Sequence, residues 1–155
     1  MNARLVATFL AITSLGNAAV PALAAQDVGV AAAVNREAQG TPPGRPTRTI
    51  ILGNNIIFKE RIETGGSGLV QVLLVDGSTF TVGANSNLVI DEFVYDPATG
   101  TGKLVASFGK GVARLVGGKL SKGPDGVNVR TPVGTIGNRG GIANIDVRGD
   151  AATFS

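Results

Sequence analysis

Residues 69–82 constrain the fold more than any other stretch of this chain. Leu69 to Val75 is an apolar run, Asp76-Gly77 follows it at once, and Ser78-Thr79-Phe80-Thr81-Val82 returns with its two large apolar residues on one face and its hydroxyls on the other. Asp-Gly between two β-rich runs marks a hairpin. The turn type it predicts is I′, in which both central residues take positive φ.

The same rhythm fills the rest of the body. Ile50-Ile51-Leu52 and Ile56-Ile57-Phe58 flank Gly53-Asn54-Asn55, residue types that tolerate positive φ. Lys59 to Glu63 alternates as a half-exposed strand does, and Gly65-Gly66-Ser67-Gly68 is a loop. Gly83-Ala84-Asn85-Ser86 turns the chain into a strand from Asn87 to Tyr95, where Asp91-Glu92 predicts a bulge that switches the inward face. After the loop Asp96 to Gly100, Leu104, Ala106 and Phe108 alternate. Gly109-Lys110-Gly111 is expected to reverse the chain into Val112 to Val116. Val127 to Arg130 and Ile142 to Val147 complete the series. No window past the N-terminus sustains a helical repeat. The 23 glycines among many Val, Leu and Ile residues fit short strands joined by tight turns. The predicted class is all-β: short antiparallel strands in a sandwich, roll or solenoid-like domain.

The first residues differ in kind. Arg4 precedes an apolar run from Leu5 to Leu15, and Ala22-Leu23-Ala24 follows Pro21. A basic start, a short apolar core and a small-x-small site predict a cleavable signal peptide over 1–24. A membrane span needs roughly 20 apolar residues, and Gly16 and Asn17 interrupt this run. The chain contains no cysteine, which excludes both disulfides and a lipid-modified N-terminus. Residues 25–48 are expected to form a loose arm. Within it Asp27 to Val34 reads as an edge strand or short helix, and the prolines at 42, 43 and 46 mark a linker. The folded body is expected over 49–150. Cleavage removes Arg4 and no acid, so the formal charge of +3 falls by one. The remaining cations are scattered singly, against a nucleic-acid partner.

Three stretches carry a family likeness: Arg61-Ile62-Glu63-Thr64, Ser67 through Ser78, and Val82-Gly83-Ala84-Asn85-Ser86-Asn87-Leu88. Together they resemble the FecR domain pattern, with Asp76, Gly77, Ser78, Gly83, Asn85 and Ser86 as its motif positions. Thr131-Pro132-Val133-Gly134, Gly137 and Arg139-Gly140 resemble the family's closing segment, with Asn138 where that pattern has an aliphatic residue. The resemblance implies a β-rich periplasmic domain. The best-known members relay iron-siderophore occupancy from an outer-membrane transporter to a sigma factor. They use a cytoplasmic segment, a membrane helix and a further C-terminal domain. This chain is expected to have a signal peptide in place of the first two and to stop before the third. The domain carries over and the circuit does not.

With neither His nor Cys, serine-histidine and cysteine-histidine nucleophilic sites and ordinary zinc sites are impossible. Glu60/Glu63 and Asp91/Glu92 are the candidate carboxylate pairs, and each is expected to point to opposite faces of a strand. Gly117-Gly118-Lys119 lacks the phosphate-loop spacing, and Gly134, Gly137, Gly140 and Gly141 miss the dinucleotide fingerprint. They read as turns or bulges, and Asp76 as a turn former ahead of a calcium ligand. The expectation is a non-enzymatic exported protein without cofactor, periplasmic or secreted. It is expected to meet an envelope protein in an interaction or sensory role. The alternative is a structural β-protein that assembles through strand edges, for which Leu69 to Val75 at an edge would be the sign.

Overall fold

A computed structural model describes residues 25–155; the signal peptide expected over 1–24 lies outside the described residues. The fold is all-β. The N-terminal third contributes β1 (Asp27–Asn35), β2 (Ala38–Thr41), β3 (Arg48–Thr49) and β4 (Asn55–Ile57). The middle contributes β5 (Arg61–Thr64), β6 (Leu69–Leu74), β7 (Thr79–Val82) and β8 (Asn87–Asp96). The C-terminal part holds β9 (Thr101–Val116), β10 (Val127–Thr131), β11 (Gly134–Gly137), β12 (Ile142–Arg148) and β13 (Ala151–Phe154). Among the described residues no helix is long and apolar enough to cross a membrane.

These strands form one curled sheet folded about β9. The C-terminal half of β9 lies between β7 and β12, in the order β4-β1-β6-β7-β9-β12-β13, called here the first layer. Its N-terminal half lies between β8 and β10, in the order β3-β2-β5-β8-β9-β10-β11, the second layer. All neighbours are antiparallel except β9 and β10, which pair in parallel through Leu104–Ser107 and Val127–Arg130. Alternation along each strand sends one set of side chains inward. Ile62, Phe80, Leu88, Leu104, Phe108 and Leu115 are fully buried, each worth about 1.5–3 kcal/mol in apolar surface withdrawn from water. The face switch in β8 occurs at a bulge between Ile90 and Glu92: Leu88 and Ile90 point inward before it, Phe93 after it.

The structure differs from the sequence reading at several elements. The arm is not loose. β1 runs between β4 and β6, with Val28 and Ala31 in the core, and β2 pairs with both β3 and β5. The prolines occupy only the β2–β3 loop, so they interrupt no ladder. The body therefore begins at β1 and continues through β13, beyond the expected end at residue 150. Gly109-Lys110-Gly111 does not reverse the chain. Gly111, at φ +92°, bends a continuous β9 from one layer into the other. Ile51 and Leu52 are exposed in a turn outside any strand. Finally, β6 lies inside the sheet between β1 and β7, so the run beginning at Leu69 is not an edge.

Candidate interaction surface

The motif residues build two buried polar knots. At the β6–β7 hairpin Gly77 N–H donates to Leu74 O at 2.9 Å and Leu74 N–H to Ser78 O at 2.9 Å. Only Gly77 of the pair Asp76-Gly77 has positive φ, +86°. The loop is thus three residues long, a turn closed by a left-handed glycine, and the expected I′ turn is corrected. This leaves Asp76 free to point inward. Its carboxylate, 2 % exposed, accepts from Ser78 N–H (3.0 Å), Ser78 Oγ–H (2.6 Å) and Leu120 N–H (3.3 Å). Lys119 N–H donates to Asp76 O, and Gly118 N–H to Ser78 Oγ. A Cβ on Gly118 would stand 2.2 Å from Ser78 N, so only glycine permits this approach. Asp76 and Ser78 therefore latch the hairpin to residues 118–120, across the fold.

The second knot joins the layers. Ser86 N–H donates to Thr64 Oγ1 (3.0 Å), and Thr64 N–H to Ser86 O (3.0 Å). Thr64 Oγ1–H donates to Gly83 O, Gly83 N–H to Val112 O, and Val112 N–H to Ser86 Oγ. Asn85, at φ +51°, shapes the turn. Beyond the motif, Glu60 is 1 % exposed and takes Arg48 through three N–H···O contacts of 2.9–3.0 Å. It also accepts from Ile57 N–H, which ties β3 to β4. Asp91 accepts from Ser107 Oγ–H. Glu92 lies 2.9 Å from Lys103 Nζ. The hydrogen bond from Lys103, aided by its charge and that of Arg130, holds the Glu92 carboxyl below the usual range.

The closing-segment residues are less constrained. Pro132 sits in the two-residue β10–β11 turn, and Gly140 has φ +81°. Gly134 and Gly137 are ordinary strand positions, where a Cβ would meet open space at Gly134 and only an ordinary contact with Asn128 Oδ1, 3.6 Å away, at Gly137, so the turn-or-bulge expectation fails for these two. Beside them Asn138 is buried, and its Nδ2 has no hydrogen-bond partner.

The outward face of the first layer carries what polar satisfaction elsewhere does not explain. Register places Val30 beside Leu73, Leu73 beside Thr79, Thr79 beside Val116, and Val116 beside Ile142. Four of these five residues are large and apolar, 37–51 % exposed, in one row across five strands. Val75, 61 % exposed, extends the row past Leu73. A shallow groove flanks each side: about 540 Å³ at Val30, Asn55 and Val75, and about 520 Å³ at Thr81, Val112 and Arg114. Single exposed apolar residues are ordinary, but contiguous ones mark contact surfaces.

A model of the FecR protein family matches residues 60–155. The chain belongs to the FecR family. The FecR match takes in both knots and the whole of β5 to β13, while β1 to β4 lie before it in the same sheet. No curated protein sequence matches the chain. A solved structure described as a cell surface anchoring domain is similar at 29 % identity over 40 % of this chain and 82 % of its own length, with a TM-score of 0.39. The motif positions of this FecR domain are thus framework: Asp76, Ser78 and Ser86 face inward, away from the apolar row. Sequence reasoning missed the row because each member sits on a different strand, and only pairing register brings them together.

Proposed function

We propose that this FecR protein is an exported, non-enzymatic interaction module of the bacterial envelope, sensory in role, which meets an envelope protein through the outward face of its first layer. The observation that carries the reading is the row Val30, Leu73, Val116 and Ile142. Nothing in the described chain packs over it, and its burial against a partner would remove apolar surface from water. Membership of a family whose domain is periplasmic in type supports the compartment, as does the signal-like segment 1–24. The test is photo-crosslinking in intact cells. A crosslinker at Leu73 or Ile142 should capture one envelope protein that a crosslinker at Val94, exposed on β8 in the second layer, does not. Equal capture at all three sites counts against the surface. A protein that stays cytoplasmic with residues 1–24 intact counts against export. The self-assembly alternative loses the support it would have drawn from Leu69–Val75, because β6 is interior. Light scattering of the purified protein decides that point.

A further inference from the structure

The sheet ends at four strands, and they are not alike. β3 has two residues and leads out of the proline-containing loop; β4 has three. They are the first strands of the two layer orders, and residues 50–54 join them. At the other end β11 and β13 each pair on one side only among the described residues, and neither contains a charge or a proline. Natural edges are commonly protected by those devices, so these two are open.

β11 has more than an open edge. Asn138 N–H donates to Val127 O, which fixes the alternation of the hairpin. Gly134, Ile136 and Asn138 direct their backbone groups toward β10, while Thr135 and Gly137 direct N–H and C=O outward. Gly134 and Gly137 present no side chain that would hinder a strand laid alongside. Just past the strand is a groove of about 320 Å³ whose walls include Pro124, Asp125, Asn138 and Arg139. Asn138 is 9 % exposed, and its Nδ2 is the one buried side-chain polar atom among the described residues without a partner. That nitrogen is buried and lies 3.4 Å from where a Cβ on Gly117 would stand, so the groove is left to the charge of Arg139. Arg139 forms no ion pair among the described residues, and Arg130, on the neighbouring strand, reaches Glu92 only at 4.0 Å.

We infer that β11 is a strand-addition site for an extended, carboxylate-bearing peptide segment of a partner protein. The segment pairs with Thr135 and Gly137 and places its carboxylate at Arg139. Main-chain pairing supplies affinity in this mode, and the terminal pocket supplies direction and selectivity. The site is separate from the apolar row, and either can fail without the other.

The test uses the purified protein and two synthetic peptides of alternating valine and threonine ending in two glutamates, one with a free and one with an amidated C-terminus. Addition of peptide should slow amide exchange at Thr135 and Gly137. G137P removes an outward N–H without breaking the β10 ladder, and should weaken binding at least about tenfold with melting temperature unchanged. R139E should weaken it comparably, whereas Ala152→Pro on β13 should have no effect. Loss only for the amidated peptide places a chain end at Arg139, and equal binding places an acidic side chain there. Absence of protection at both amides with millimolar peptide overturns the proposal. So does binding that survives G137P, or a dimer that G137P dissolves, since the occupant is then a second copy.

Discussion

Gly77 and Asp76 are neighbours in sequence, yet their substitutions should differ in kind. Gly77 has φ +86° with open space around its missing side chain, so G77V incurs backbone strain alone. A loss of about 1 kcal/mol or somewhat more is expected in thermal or urea unfolding. D76A leaves the N–H groups of Ser78 and Leu120 and the Ser78 hydroxyl without their acceptor inside the fold. At about 1–3 kcal/mol for a stranded buried group, D76A should cost about 3 kcal/mol or more. The Asp-Gly dipeptide was legible as a turn. The latch was not, because its partners are backbone N–H groups of residues 118–120, and a backbone donor leaves no mark in the sequence beyond the glycine at 118 that lets it approach. Glu92 gives a pH prediction. Its folded pKa is depressed, so pairing with Lys103 contributes at neutral pH and is lost as acid protonates the carboxylate. The pair is solvent-exposed, so the effect on stability is small. The measurable quantity is the Glu92 carboxyl midpoint by NMR, which K103M should raise.

Two glycines distinguish a bend from a turn at the scale of the strand. Gly100 closes the β8–β9 loop at φ +69° with nothing near its missing Cβ; Gly111 bends β9 at φ +92° with Ser86 Oγ 2.0 Å from that position. G100A should therefore lose only the conformational cost, about 1 kcal/mol. G111A must also displace Ser86, so its urea midpoint should fall further. The same pair shows why strand content was legible and connectivity was not. Alternation locates Leu104, Ala106 and Phe108 on one face, and glycines punctuate correctly. But a left-handed glycine serves a bend between layers as well as a reversal, and only its neighbours decide. At β1 the difficulty was composition: Ala31, Ala32 and Ala33 carry weak strand preference. Cross-strand contacts with β6 settle them, and Gly29 lets Leu73 approach within 2.3 Å of where a Cβ would be.

For the whole molecule, the boundary of the cooperative unit is the point at issue. The FecR match starts at residue 60, which invites trimming to that point. Such a truncation removes Val28, Ala31, Ala38, Ile50 and Ile56 from the core and strips β5 and β6 of partners. It should lose cooperative thermal unfolding by circular dichroism, whereas the chain from residue 25 should show one sharp transition. The arrangement also sets an order of events in time. β9 is the shared wall of both layers, yet it is among the later strands to be made, and β1 must wait for β6 and β6 for β7. Sequence-distant pairing of this kind makes folding slow relative to helical domains of equal size. The chain remains open through most of its synthesis, and closes only once a segment more than 100 residues from its start has arrived.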